Sequence, residues 1–284
     1  MTAAEDVLAG RPEDSRASLH YALLFAPPER RALLRTLAAL YRELHSIALE
    51  VSEPAVAGAK LEWWRGELES ALRGSGQHPL APALGRMTAQ FGVERERLRE
   101  MADAVEMELA GGGFANVAEL NRYLDKSGGV TAVVAAALSG HDDPATLEAA
   151  RRLGFAIRRT TLLRDLRSDV LGGRIYLPLD RLEDIGVAPD RILTESAVDA
   201  LQPVLAELAD DAERDYAQGL AALPRKDQRR QRALCVLASL YRALLARMRS
   251  DGLRVHETRY ALHPARKLWI AWRSAGRAAR RRVR

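Results

Sequence analysis

Residues 153–187 read LGFAIRRTTLLRDLRSDVLGGRIYLPLDRLEDIGV. The apolar spacing there, followed back to Pro144, predicts a long helix over 144–170, ended by Gly172-Gly173. The stretch 174–178 then reads as an extended connector. On the helix Asp165 and Asp169 are four apart, so both carboxylates share one face, one turn apart. Thr161 and Arg158 continue that stripe toward the N-terminus. One reading is a solvated face of intrahelical Arg–Asp pairs, because Arg164 and Arg167 flank it. The other is a magnesium–diphosphate site. Mg²⁺ takes one or two carboxylates, substrate phosphate oxygens and water, and it offsets the charge of a departing diphosphate.

Working outward, helical periodicity covers nearly the whole chain. Leu33, Leu37, Leu40, Leu44 and Ile47 recur at spacings of three and four, predicting a helix over 28–50 that Pro27 and Pro28 suit as a start. Further helices are predicted over 56–72, 81–91, 94–109, 117–124, 130–138, 196–223 and 227–250, with a last one from Pro264 into an arginine-rich end. Gly74-Ser75-Gly76, Gly111-Gly112-Gly113 and Gly128-Gly129 are expected to punctuate them.

The bulk numbers agree. The chain has 284 residues, 48% of them hydrophobic, enough to bury a sizeable core. Ala, Leu, Arg and Glu dominate; they lose little side-chain entropy in a helix. β-branched runs are short, which argues against a large sheet. No repeat or low-complexity linker divides the chain, so the expectation is one all-α domain over 1–263 and a basic amphipathic tail over 264–284. That tail holds Arg266, Lys267, Arg273, Arg277, Arg280, Arg281, Arg282 and Arg284 and no acid. Without those eight charges the formal net charge of +5 becomes −3, so the basic character belongs to the tail.

Cys235 is the single cysteine, which suits a reducing compartment. Its apolar surroundings favour a small buried hydrophobe over a nucleophile. The acidic, polar start does not read as a secretory signal, and no apolar run is long enough to span a bilayer. The expectation is a cytoplasmic protein, soluble or peripheral at the inner face of a membrane.

The combination Leu163-Arg164-Asp165, Asp169, Gly173-Arg174, Tyr176 and Pro178 closely resembles the second aspartate-rich motif of the squalene/phytoene synthase family. Three other stretches are similar to that family: SLHYALLFAPPERR from Ser18 (its first-helix Ser/Tyr segment), KLEWWRGELE from Lys60 (its Trp-rich helix) and YRALLARMRSDGLRVHETRYAL from Tyr241 (its closing helix and arginine). The resemblance implies an all-α isoprenoid-synthase bundle around a central pocket, joining two prenyl diphosphates head to head with Mg²⁺ between two aspartate motifs. It implies metal ligation by Thr161, Asp165 and Asp169. It places Ser18, Arg42, His45, Arg158, Arg174, Tyr176, Tyr241 and Arg259 around the substrate, and an acid at Glu108.

The resemblance breaks at the first motif. Where the family has Arg-x-x-Asp-Asp-x-x-Asp, this chain has Arg42-Glu43-Leu44-His45-Ser46-Ile47-Ala48-Leu49. The three aspartates are replaced by His45, Ser46 and Leu49. Glu43 and Glu50 share a face turned about 100° from the His45/Leu49 stripe, so neither replaces them cleanly. In the second motif Arg158 and Thr161 stand where the family commonly has Gln and Asn. A fixed guanidinium at 158 either pairs with a phosphate or neutralises Asp165. Glu108 reads as a family acid or as a surface glutamate. Trp63 and Trp64 are adjacent and cannot both face one core.

Two functions stay open. One is a non-synthase that binds a prenyl diphosphate or lipid, or aids membrane-complex assembly, as divergent relatives without the aspartates do for respiratory complex I. The intact Asp165/Asp169 pair departs from that branch. The other is an active Mg²⁺-dependent prenyltransferase of isoprenoid biosynthesis with reduced metal occupancy. The tail, with Leu268, Trp269 and Trp272 beside arginines, implies peripheral membrane contact. A protein partner fits the assembly reading, and no nucleic-acid motif supports RNA binding.

Overall fold

A computed structural model describes residues 14–51, 53–140 and 142–280. Twelve α-helices are found among these residues, and their only bridge-type pairing is the isolated parallel one between Phe114 and Pro178. The helices are α1 (Asp14–Leu23), α2 (Pro28–Glu50), α3 (Pro54–Leu72), α4 (Ala81–Phe91), α5 (Arg95–Leu109), α6 (Val117–Leu124), α7 (Val130–Leu138), α8 (Pro144–Leu171), α9 (Leu179–Asp184), α10 (Val198–Ala222), α11 (Arg232–Ser250) and α12 (Pro264–Arg280). The all-α class, and a single domain, are as the periodicity implied.

Helix starts follow local chemistry. Pro28 opens α2 from an extended Pro27, its missing N–H being one that a first turn leaves unpaired anyway. Asn116 and Asp143 cap α6 and α8, their side chains accepting from the Glu119 and Ala145 N–H groups at 3.0 and 2.9 Å. The short α9 after Pro178 carried too little periodicity to be predicted.

One expectation is corrected. Gly128 and Gly129 do not interrupt the chain; they lie in a π-helical turn, Asp125–Gly129, that joins α6 to α7. The reason is lateral packing. A Cβ placed on Gly154 of α8 would fall 2.2 Å from the Gly128 carbonyl oxygen, and one on Gly128 would fall 2.5 Å from the Gly154 oxygen. Only glycine, which has no Cβ, allows the two backbones to meet this closely. Arg158, one turn beyond Gly154, is thereby brought against the segment that follows Tyr123; its own Cβ lies 2.6 Å from the Cβ position of Gly128.

α8 is the spine of the bundle. It packs against α7, α10 and α11, and its apolar residues Leu153, Ala156, Leu163 and Leu166 sit in the main core beside Leu201, Leu205 and Leu245. A second cluster on the other side holds α2, α3, α4 and α5 around Leu40, Leu44, Ile47 and the fully buried Trp64. Trp63, its neighbour, points outward. Cys235 is buried, as expected. Through residue 280 the basic segment is a helix of this bundle, because Ile270, Ala271 and Ala275 belong to the main core. No helix among the described residues is long and apolar enough to cross a membrane.

The glycine contact makes a direct prediction. Gly154→Ala forces a methyl group into backbone and is expected to lower unfolding free energy by about 1–3 kcal/mol or more in urea melts, the cost of overpacking. Gly58→Ala, on α3 with nothing within 4 Å of its Cβ position, should be neutral or stabilising by up to ~1 kcal/mol.

Candidate functional site at the centre of the bundle

Four helices converge on one buried carboxylate. Glu108, in the last turn of α5, has a side chain only 2% exposed. Its Oε1 accepts from His45 Nδ1 of α2 at 3.1 Å and from an Arg158 Nη of α8 at 3.1 Å. It also accepts from the Tyr123 hydroxyl of α6, which Arg158 contacts as well. Oε2 has no hydrogen-bond partner. Burial pushes the Glu108 carboxyl up, but His45, Arg158 and Tyr123 together outweigh it and hold the group below its ordinary value. The alternative reading of Glu108 as a surface residue is therefore corrected.

Aromatic rings wall this network. Phe114 stacks on Tyr123 at 4.9 Å between centroids, and Tyr123 on Tyr176 at 5.7 Å. The Arg158 guanidinium lies 5.2 and 5.7 Å from the Tyr123 and Tyr176 ring centres, within cation–π range. The His45 ring packs at 4.1 Å on Tyr41. Burial raises the Tyr41 phenol, which also feels the charges of Arg158, Glu108 and Arg164. Tyr41 thus stands between this network and a second one.

That second network holds the aspartates. Asp165 accepts from Arg164 through Nε at 2.9 Å and a second guanidinium nitrogen, and from Arg259 Nε at 2.9 Å. Arg164 in turn is hydrogen-bonded to Tyr241. Burial pushes Asp165 up, and the two arginines more than reverse it. Asp169 accepts one bond of 3.3 Å from Arg174, which also reaches the Gly172 carbonyl at 3.3 Å. Here burial wins: the Asp169 carboxyl is pushed up to about 6, with Asp165 adding repulsion that Arg158 and Arg174 do not cancel.

Thr161 donates to the Arg158 carbonyl at 2.7 Å. A cavity of about 10 Å³ beside Asp169 and Tyr176 is otherwise lined by apolar side chains and Arg159. A second of similar size brings Ser18 together with Arg164 and Tyr241. Each has room for about one water. Arg42 lies half-buried on α2, three residues before His45. The stripe on α8 is therefore a buried polar centre, and Arg158 points to Glu108 rather than to Asp165. Tyr41 and Tyr123 were not singled out in the sequence. Tyr41 immediately precedes Arg42, which was the available signal; Tyr123 offered none beyond its apolar register with Leu120 and Leu124.

Do these donors suit Mg²⁺? Among the described residues no three His, Cys, Asp or Glu side chains converge as a metal site. Each carboxylate already accepts from a guanidinium: Glu108 from Arg158, Asp165 from Arg164 and Arg259, Asp169 from Arg174. An arginine cannot be deprotonated to make room. As arranged, the donors do not fit a magnesium cluster.

Comparison with known proteins sets this geometry in context. The squalene/phytoene synthase family model matches residues 13–270. The phytoene synthase of Mycobacterium tuberculosis is 30% identical over 258 residues, covering 89% of this chain and 84% of that protein. The presqualene diphosphate synthase of Rhodopseudomonas palustris is 26% identical over 213 residues, covering 75% of this chain and 76% of that one. A crystal structure of a dehydrosqualene synthase in complex with ligand superposes with a TM-score of 0.82 at 20% identity, covering 97% of this chain and 95% of that chain. The chain belongs to the squalene/phytoene synthase family.

Two predictions follow from the site's charges. Glu108→Gln strips the buried Arg158 of its charged partner and is expected to cost about 3–5 kcal/mol in chemical denaturation, whereas Glu108→Gln with Arg158→Met should recover most of that loss. For Asp169 the folded value, about 6, lies above the ordinary 3.8. Its contribution to stability is therefore full below the lower value and lost as pH rises through the higher one. Asp169→Asn should flatten the fall in Tm between those two pH values and raise Tm at neutral pH.

Proposed function

We propose that this member of the squalene/phytoene synthase family binds a prenyl diphosphate through guanidinium groups and does not perform the magnesium-dependent head-to-head condensation. The carrying observation is the pairing of every carboxylate in the centre with arginine, together with His45 on Glu108 at the position of the first motif's first aspartate. In a synthase, metal ions would supply positive charge to the leaving diphosphate, and such electrostatic stabilisation is usually the largest catalytic contribution. Here that charge is built into the protein.

The arginines divide by accessibility. The Arg164 side chain is 6% exposed and the Arg158 side chain 17%. Arg259 is 46% exposed and Arg174 23%, and each holds its aspartate by a single hydrogen bond. Each can offer its other guanidinium N–H groups to a phosphate while the aspartate bond stands, and arginine suits phosphate because its fork donates in pairs. Glu108 keeps Arg158 oriented by a hydrogen bond of 3.1 Å.

The test is calorimetric titration of farnesyl diphosphate into the full chain, with Mg²⁺ and with a chelator, with pyrophosphate assayed in the same mixtures. Expected is binding that survives the chelator, weakens with salt and releases no pyrophosphate. Arg174→Ala and Arg259→Ala should each weaken it by about 10- to 100-fold, the worth of a hydrogen bond to a charged group. Restoring the family pattern with His45→Asp, Ser46→Asp, Leu49→Asp and Arg158→Gln should make binding magnesium-dependent. Pyrophosphate release that requires Mg²⁺ in the wild-type chain would establish the active transferase instead. Absence of binding in both conditions would leave the bundle as a scaffold for a protein partner.

A further inference from the structure

We propose that the outer face of α12 is a docking surface for an anionic lipid bilayer, on which the bundle lies without inserting a spanning helix. At about 100° per residue, α12 divides into three sectors. Lys267, Ile270, Ala271, Ser274 and Ala275 form one arc and are buried against the bundle, packed chiefly on α11. Leu268, Trp269 and Trp272 form a second arc and are 51%, 53% and 65% exposed. Arg266, Arg273 and Arg277 form the third, and all three are exposed. The Arg273 guanidinium sits 5.1 Å over the Trp269 ring, at the border of the two outward arcs.

The apolar arc cannot be explained by the fold, because the helix already buries a different face. Two tryptophans and a leucine held outward keep indole surface in water, a cost that a partner must offset. Charge chooses the partner. From Pro264 to Arg284 the sequence has eight bases and no acid, whereas the rest of the chain is net negative. The counterpart is a surface rich in negative phosphate that also offers a hydrocarbon boundary. Lipid headgroups over acyl chains supply both, and tryptophan prefers that boundary. Each arginine near such a surface adds attraction, and the buried apolar arc adds the rest. Because Ile270, Ala271 and Ala275 are locked into the core, α12 does not need to detach; the whole bundle would be oriented by it.

The experiment is co-sedimentation of the full chain with vesicles of phosphatidylglycerol mixed with phosphatidylcholine, and with phosphatidylcholine alone. Alongside it, quenching of tryptophan emission by brominated acyl chains and sedimentation equilibrium without lipid are measured. Expected is binding to the anionic vesicles that falls with salt, with quenching lost in Trp269→Ser/Trp272→Ser. Arg266→Glu/Arg273→Glu/Arg277→Glu should weaken binding by about 100-fold or more, given the attraction per basic residue. All five positions are exposed, so far-UV circular dichroism and Tm should stay as in the wild type. Equal binding to neutral and anionic vesicles, or variants that bind as the wild type does, would overturn the proposal. So would a lipid-free dimer that the tryptophan variant dissociates, since a second copy would then be the occupant.

Discussion

The arrangement of this protein depends on one backbone contact, the meeting of Gly128 and Gly154. Where each α-carbon approaches the other's carbonyl oxygen, the π-helical turn between α6 and α7 lies directly against α8. Any larger residue would hold the two segments apart by roughly the width of a methyl group. Arg158 and Tyr123 then could not reach the same carboxylate, and the stacked rings that end at Tyr176 would lose their neighbour. The π turn is the local consequence: it lets the chain pass the crossing point without leaving the helix, as such turns often do near functional sites.

Given that contact, the charge pattern at the centre follows from what a buried carboxylate requires. Glu108 is almost wholly withdrawn from water, and a lone ionised acid there would be very costly. It is kept charged by Arg158, His45 and Tyr123. Asp169 has a weaker set of partners and sits with its acidity strongly reduced. The contrast between two acids in one interior shows which effect wins in each place. Converging donors outweigh burial at Glu108 and Asp165; burial outweighs a single long hydrogen bond at Asp169. A guanidinium differs from a magnesium ion in being single-charged, planar and permanently attached.

Much of this was legible in the sequence. Helix spacing located nearly every long helix, because an amphipathic face must repeat at the helical period wherever one side meets a core. The string around Asp165, Asp169, Gly173-Arg174 and Pro178 was specific enough to indicate the family. The residues His45, Ser46 and Leu49, read against the family resemblance, were likewise a matter of sequence alone. Folding separates them: His45 is buried in the charge network, while Leu49 is among the exposed large apolar residues. The short α9 and the uninterrupted passage through Gly128-Gly129 were not legible. A glycine pair signals a break when only neighbours in the chain are considered, and a packing contact when the partner helix is known.

The sequence by itself determined the helical class, the family and the identity of the ionisable groups, since each of these is carried by residue type and local spacing. Only the tertiary structure decided which acid meets which base. Arg158 shares a single stripe with Thr161 and Asp165, yet its partner is Glu108, fifty residues away in the chain. Likewise Arg259 reaches Asp165 across ninety-four residues. The physical reason is that spacing fixes the direction of a side chain around its own helix, whereas charge pairing depends on how separate segments are packed, as where Gly128 and Gly154 bring the π turn against the helix that carries Arg158.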